Sequence, residues 1–165
     1  MAELITTERL QPCLLDRLTD LSPDQKTGGK GDRVISMVRY REGVLRDLLW
    51  LMNTSAHLSE EGLDGFPEVE KSVLNFGTRN LCGVVSTSID LRDYENQLGD
   101  AISFFEPRIN RKSLSVSAVD DPWKAEKNLL AFEIRGDLWA YPMPEQLCIQ
   151  TKVDLETGEL AINKK

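Results

Sequence analysis

One histidine, His57, serves all 165 residues. That count excludes a metal site built mainly from histidines, and any Ser-His-Asp or Cys-His arrangement would have to use this one side chain. It lies in Thr54-Ser55-Ala56-His57-Leu58, an ordinary helix-end composition, and reads as a solvent-facing or capping residue. Cysteine is scarce as well. Cys13, Cys82 and Cys148 are scattered with no C-x-x-C among them, which points to neither a zinc site nor a redox pair and fits reduced thiols in a cytosol. A long apolar run is missing: the longest, Val44 to Met52, contains Arg46 and Asp47 and is too short to span a membrane. Met1 to Gln11 carries acidic residues and no apolar stretch, so it does not read as a signal peptide. Excess positive charge is also lacking. The net charge of -7 argues against nonspecific nucleic-acid binding and against docking on anionic lipid. The expectation is a soluble, cytoplasmic protein.

What is present suits one domain over residues 1–165. A chain of this size buries roughly 70% of its unfolded surface, enough for a core without staples. The 28% charged content implies a substantial polar surface. A local basic cluster at Arg108, Arg111 and Lys112 has a solvated turn as its plainer reading.

Leu14, Leu15 and Leu18 form a short apolar patch of one or two helical turns. Residues 22–33 follow, with Pro23 and Gly28-Gly29-Lys30-Gly31, and read as a flexible loop. The glycine run lacks a preceding strand and the Gly-x-x-x-x-Gly-Lys-Ser/Thr spacing, so it is not assigned to nucleotide binding. Val34 to Asn53 is predicted as the first main helix, with Val34, Val38, Leu45, Leu48 and Met52 on its stripe and Gly43 marking close packing or a bend. Trp50 lies on it as a core or interface residue. Ser59 to Glu70 reads as a loop. Ser72-Val73-Leu74-Asn75-Phe76-Gly77 reads as a helical turn closed by a left-handed Gly77, and Leu81 to Ser88 as holding a short strand.

Asp90 to Phe105 is the clearest helix. Leu91, Tyr94, Leu98, Ala101, Ile102 and Phe105 recur at three- and four-residue spacings, Asp90 suits the N-cap, and Asp93 favours the first turn. The period then changes to two. Leu114, Val116 and Ala118, then Leu130, Phe132 and Ile134, then Leu147, Ile149, Thr151 and Val153 each mark a half-buried strand. Gly136-Asp137 and Thr157-Gly158 read as turns, the second leading into a last strand at Leu160 to Ile162. Helices first and strands later predict an α+β fold, N-terminal helices packed on a small C-terminal antiparallel sheet. The sequence shows no internal repeat.

The junction between the two halves is Phe104-Phe105-Glu106-Pro107-Arg108. Proline biases Glu106 away from helical geometry, so the helix should stop at Phe105 or Glu106, leaving opposite charges on either side of a rigid turn. If Glu106 were a glycosidase acid, a second carboxylate would have to stand roughly 5–9.5 Å away. Asp90, Asp93, Glu95 and Asp100 lie upstream with no spacing that singles one out, and Arg108 favours an ionised partner. A structural ion pair is the simpler reading. Trp123, after Asp120-Asp121-Pro122, is either core or a partner contact, and Trp139 is a third, widely separated tryptophan.

Leu14-Leu15-Asp16-Arg17-Leu18, the Val44-to-Thr54 segment, Ser72-Val73-Leu74-Asn75-Phe76-Gly77 and Phe105-Glu106-Pro107-Arg108 together resemble one family in order and spacing. It is the TssE family of type VI secretion baseplate subunits, relatives of the gp25-like wedge proteins of contractile phage tails that long carried a "lysozyme-like" label. The resemblance runs from about Leu14 to the C-terminus. It departs at Gly43, where a serine is common, and at Thr78-Arg79-Asn80, which replaces a proline-containing turn. The resemblance implies a noncatalytic subunit without cofactor or metal, located in the cytoplasm at a baseplate near the inner membrane. It implies TssF, TssG and TssK as baseplate partners, TssB and TssC as sheath partners, and Glu106, Pro107 and Arg108 as the assembly site. The alternating C-terminal segments, Leu147 to Val153 and Leu160 to Ile162, suit an open edge for strand addition, with proline at Gln150 expected to disrupt it; an edge protected within the monomer is the competing reading. The alternative function is a peptidoglycan-cleaving glycosidase using Glu106.

Overall fold

The computed structural model describes residues 10, 12–19, 24, 35–56, 65–119, 128–140 and 144–163. The expectations for His57, for Trp123 and, apart from Asp24, for the loop at 22–33 lie outside these residues.

The architecture is α+β, with all the helices preceding the sheet in the chain. Helices α1 (Leu14–Leu18), α2 (Met37–Met52), α3 (Pro67–Glu70) and α4 (Leu91–Phe105) precede strands β1 (Ser115–Ala118), β2 (Leu129–Leu138), β3 (Glu145–Asp154) and β4 (Leu160–Asn163). The strands form an antiparallel meander in the order β1-β2-β3-β4. Ile134 lies opposite Ile149 and Phe132 opposite Thr151, so the apolar alternation of both long strands falls on one face. Phe132, Ile134, Leu138, Leu147, Ile149 and Val153 on that face join Val44, Leu48 and Leu51 of α2 and Leu98 and Ile102 of α4 in one core. Burying a side chain of this kind contributes about 1.5–3 kcal/mol. Thr151, the polar member of the face, is fully buried and donates its hydroxyl to Phe132 O.

Local chemistry sets the helix ends. Ser36 Oγ accepts from Arg39 N, so α2 begins at Met37, three residues later than the apolar period suggests. Val38 falls outside the stripe and is exposed, because Tyr40, Val44 and Leu48 carry the buried face instead. Asp90 Oδ1 accepts from the amides of Arg92 and Asp93 and starts α4, as its position predicts. The helix ends at Phe105; Glu106, with φ -121° and ψ 77°, has left helical geometry ahead of the proline.

Several local expectations are corrected. Of the loop predicted over Ser59 to Glu70, residues 59–64 lie outside the described residues and Pro67–Glu70 form the short helix α3, which Pro67 opens with the backbone angle a first turn needs. Leu81 to Ser88 holds no strand: Val84 N bonds back to Leu81 O, and a 3-10 turn follows at Ser86–Ser88. Gly136-Asp137 is not a turn but lies inside β2, where a Cβ on Gly136 would come within 2.8 Å of Ile109 Cγ2. The glycine serves close packing there rather than reversal. Ser72 to Gly77 forms a 3-10 turn at Val73–Asn75. Gly77 has φ +138°, and a Cβ there would lie 2.3 Å from Thr54 O. The glycine permits a close backbone crossing, in which Thr78 N donates to Thr54 O and Ala56 N to Thr78 O.

Candidate functional site at the helix-to-sheet junction

The backbone after α4 is stitched to the end of β2. Asn110 N donates to Asp137 O, Trp139 N donates to Arg108 O, and Ile109 bridges Leu138. Ile109 N also donates to Glu106 O, closing the turn over Pro107. The Glu106-Pro107-Arg108 segment therefore couples the last turn of α4 to the second strand, and its side chains have little freedom.

Glu106 is 3% exposed. Its Oε1 accepts from Arg108 Nε at 2.6 Å and from Arg108 N at 3.2 Å, while Oε2 accepts from Arg108 Nη2. A fork of this kind orients both groups as well as joining them. The sequence predicts the pair but not its continuation. Arg108 Nη2 also donates to Asp47 Oδ2 at 2.6 Å. Asp47 Oδ1 accepts from Arg46 Nε at 2.9 Å, and Arg46 Nη1 donates to Asp16 Oδ1 at 2.6 Å. Cys13 Sγ donates to Asp16 Oδ2 at 2.9 Å. Five alternating charges thus run from the junction, across α2, to α1. Arg46 further lies 5.1 Å from the centroid of Trp50, which is half exposed on α2 rather than in the core.

The chain of charges tunes its own members. Burial works against the charge on Arg108, but its hydrogen bonds and attraction to Glu106 and then Asp47 prevail and hold its pKa above the ordinary value. Arg46 is raised in the same way against its burial, through Asp16 and Asp47. Burial pushes the Asp16 carboxyl up, yet the Cys13 thiol and the Arg46 guanidinium together bring it below its ordinary value. Gly43 makes room for the assembly: a Cβ there would stand 3.2 Å from Asp16 Oδ2 and 3.8 Å from Arg108 Nη1. Its role is close packing, not a bend.

This geometry does not make a glycosidase. Both oxygens of Glu106 are occupied by Arg108, and its burial denies a sugar oxygen hydrogen-bond access. Arg108 Nη2 bonds both Glu106 Oε2 and Asp47 Oδ2, so the guanidinium fills the space between these two carboxylates where a sugar or a water would have to stand. Asp47, the nearest acid in the network, is itself held by Arg46 and Arg108. A cavity of about 150 Å³ opens elsewhere, between the end of α2 and the β3–β4 hairpin, and among the described residues Glu159 is the one carboxylate residue lining it. Among the described residues no group of three His, Cys, Asp or Glu side chains could hold a metal ion. No helix of the described residues is long and apolar enough to cross a membrane.

The basic cluster divides. Arg108 belongs to the charge network, Arg111 Nε donates to Ser103 O, and Lys112 N bonds Asn110 Oδ1. Trp139 is 73% exposed at the end of β2, where its carbonyl accepts from Tyr40 Oη. The sheet edge is also more specific than the alternation suggests. Gln150 is not on it, because it pairs with Glu133 on one side and Asn163 on the other. The sheet's two edges are β1 and β4, and β4 is partly closed: Asn53 Oδ1 accepts from Leu160 N at 2.8 Å while Asn53 Nδ2 donates to Leu160 O at 2.9 Å. One side-chain amide imitates a neighbouring strand there. Since β4 pairs only with Gln150 to Val153, residues 145–149 of β3 have no strand on that side among the described residues.

Comparison with known proteins gives a family. The family model described as baseplate wedge protein gp25 matches residues 38–143, which contain all of α2 but its first residue, the 3-10 turn at Val73–Asn75, α4 and the Glu106-Pro107-Arg108 junction. No curated protein matches the chain. Among solved structures, a Geobacter sulfurreducens chain carrying the label tail lysozyme matches at 21% identity and a TM-score of 0.41, over 70% of this chain and 90% of that one.

Proposed function

We propose that this chain, which belongs to the baseplate wedge protein gp25 family, works as a noncatalytic structural wedge subunit in the baseplate of a type VI secretion system. The family is one of structural baseplate proteins, and the secretion-system assignment rests on the order and spacing of the four resembling segments. The observation that carries the noncatalytic reading is the buried Glu106 with both oxygens filled by Arg108. Such a group can brace a junction but cannot deliver a proton to a leaving group.

In this reading TssF, TssG and TssK are the baseplate neighbours, and the subunit helps to start the sheath of TssB and TssC. Glu106, Pro107 and Arg108 hold the surface that meets the baseplate, and the partly open sheet edge at β4 and residues 145–149 offers backbone groups to an incoming strand. The experiment is reconstitution in a host lacking its own subunit, scored for sheath assembly by fluorescent TssB and for co-purification of TssF, TssG and TssK. Restored assembly with those partners is expected. Peptidoglycan cleavage by the purified protein that is lost in Glu106→Gln would overturn the reading in favour of the glycosidase.

A further inference from the structure

Phe104, on the last turn of α4, is approached by two cations from different segments. Lys71 Nζ lies 5.4 Å from its ring centroid and Arg111 Cζ lies 5.5 Å from it. Lys71 comes from the end of α3, and Arg111 from the turn after the junction, so residues forty positions apart converge on one ring. Neither has a carboxylate partner among the described residues, although Glu68 and Glu70 lie on α3 and Asp100 is one turn back on α4. In a chain of net charge -7, these two cations share a ring and have no described carboxylate bonded to them, so an anionic group of a partner can pair with both.

Apolar groups stand beside them in sequence. Val73 and Leu74, two and three residues beyond Lys71, are 80% and 74% exposed. Their exposure is built in. Ser72 N and Ser72 Oγ both donate to Val69 O, Asn75 Nδ2 donates to Glu70 O, and buried Asn75 pins the turn from beneath. Phe76 continues inward to meet Phe105 edge-on at 5.2 Å, which ties the turn to the same end of α4. Scattered exposed apolar residues need no explanation, but an adjacent pair held outward by a rigid turn and flanked by unneutralised cations has the composition of a docking site.

We propose that Lys71, Val73, Leu74, Phe104 and Arg111 form a docking surface for an acidic amphipathic segment of a partner protein. A carboxylate of that segment meets Lys71 and Arg111, and its apolar side chains cover Val73, Leu74 and the Phe104 ring. Charge complementarity selects this occupant. The surface differs from the Glu106–Arg108 network, whose charges are already mutually satisfied, and it stands whether or not the chain works in a baseplate.

The test uses the full chain, labelled with nitrogen-15 and titrated with a synthetic peptide of leucine and glutamate at helical spacing. A peptide with lysine in place of glutamate is the control. Shift changes centred on Lys71, Val73, Leu74, Phe104 and Arg111 are expected with the acidic peptide alone. The double change Lys71→Glu with Arg111→Glu should weaken binding roughly tenfold or more, as should Val73→Ser with Leu74→Ser. All four side chains face solvent and the cations lose only the exposed contacts to Phe104 and Ser103 O, so the thermal midpoint should fall by no more than a few degrees, and the Val73→Ser with Leu74→Ser protein, which loses neither, separates lost binding from lost folding. Equal response to the lysine peptide, shifts mapping elsewhere, or binding indifferent to these changes would overturn the proposal. So would preferential binding to anionic phospholipid vesicles, or concentration-dependent self-association abolished by Lys71→Glu, since each names a different occupant.

Discussion

Arg108 Nη2 donates to Asp47 Oδ2 at 2.6 Å across 61 residues of sequence, joining the junction after α4 to the middle of α2. The same guanidinium holds both oxygens of Glu106. One side chain therefore braces the helix-to-sheet turn and fastens it to a second helix. Truncating it leaves the buried Glu106 carboxylate without its counter-charge. Arg108→Ala should cost about 3–5 kcal/mol and lower the thermal midpoint by roughly 10 °C. Differential scanning calorimetry measures this, and baseplate incorporation scored in parallel separates the fold from docking. An unchanged midpoint with lost incorporation would reassign Arg108 to partner contact, and normal behaviour in both assays would remove the motif from the account.

The outer end of the network carries a pH signature. The Asp16 carboxyl is held below its ordinary value of 3.8, with burial opposing and Cys13 and Arg46 prevailing. A depressed acid contributes stability that is fully present above its unfolded value and is lost as pH falls through the folded value. The attachment of α1 should thus persist at pH 4 and weaken only on further acidification. Amide hydrogen exchange across α1 at stepped pH reads it, with Asp16→Asn as the comparison. Release of α1 near neutral pH in the unaltered protein would contradict the assignment. Asp16 keeps part of its solvent contact, so the effect is on the docking of one helix and not on global folding.

Much of the fold is legible because the signals are local. The 3.6 period of α4, its Asp90 cap, the proline-enforced stop and the alternation of β2 and β3 each depend on neighbours a few residues away. The Glu106–Arg108 pair is legible for the same reason, being two residues apart. Asp47, Arg46 and Asp16 are not assigned from sequence, because the contacts that recruit them span 30 and 61 residues. A trace exists in the interruption of the α2 apolar run by Arg46-Asp47, two charges that a simple amphipathic stripe has no use for. Gly136 misleads because glycine signals both reversal and close approach, and only Ile109, brought in by the junction, distinguishes them. Asn53 likewise looks like a helix stop and is one, yet its amide also closes part of β4.

Gly77 and Gly83 both have positive φ, but their surroundings differ. A Cβ at Gly77 meets Thr54 O at 2.3 Å, whereas one at Gly83 meets nothing within 4 Å. Gly83→Ala should cost about 1 kcal/mol from backbone conformation alone. Gly77→Ala carries a similar conformational cost of about 1–3 kcal/mol and must also break the crossing between Thr54 and Thr78. Urea unfolding of the two variants should place Gly77→Ala clearly lower. Equal midpoints would mean that the crossing at Thr54 yields without loss.

The sheet edge gives the sharpest contrast between fold and assembly. Asp154 N donates to Glu159 O at the start of the β3–β4 hairpin, and its residues then pair in alternation, with Lys152 opposite Ala161 and Gln150 opposite Asn163. By that alternation Gln150 directs its amide toward β4, and Gln146 directs its own to the same side beyond the reach of the paired residues of β4. Gln150→Pro therefore removes a ladder bond inside the monomer and should destabilise the protein by about 3 kcal/mol. Gln146→Pro removes a donor that no described strand accepts, and Gln146 is exposed, so the fold should survive nearly unchanged. If an incoming strand extends the sheet along residues 145–149, Gln146→Pro should sharply reduce sheath assembly while circular dichroism and the thermal midpoint stay close to those of the parent. Full sheath assembly by a folded Gln146→Pro protein would exclude strand addition along residues 145–149 and leave Ile162, the next position past the Asn53 cap on β4, and the opposite edge at β1 as the places for it.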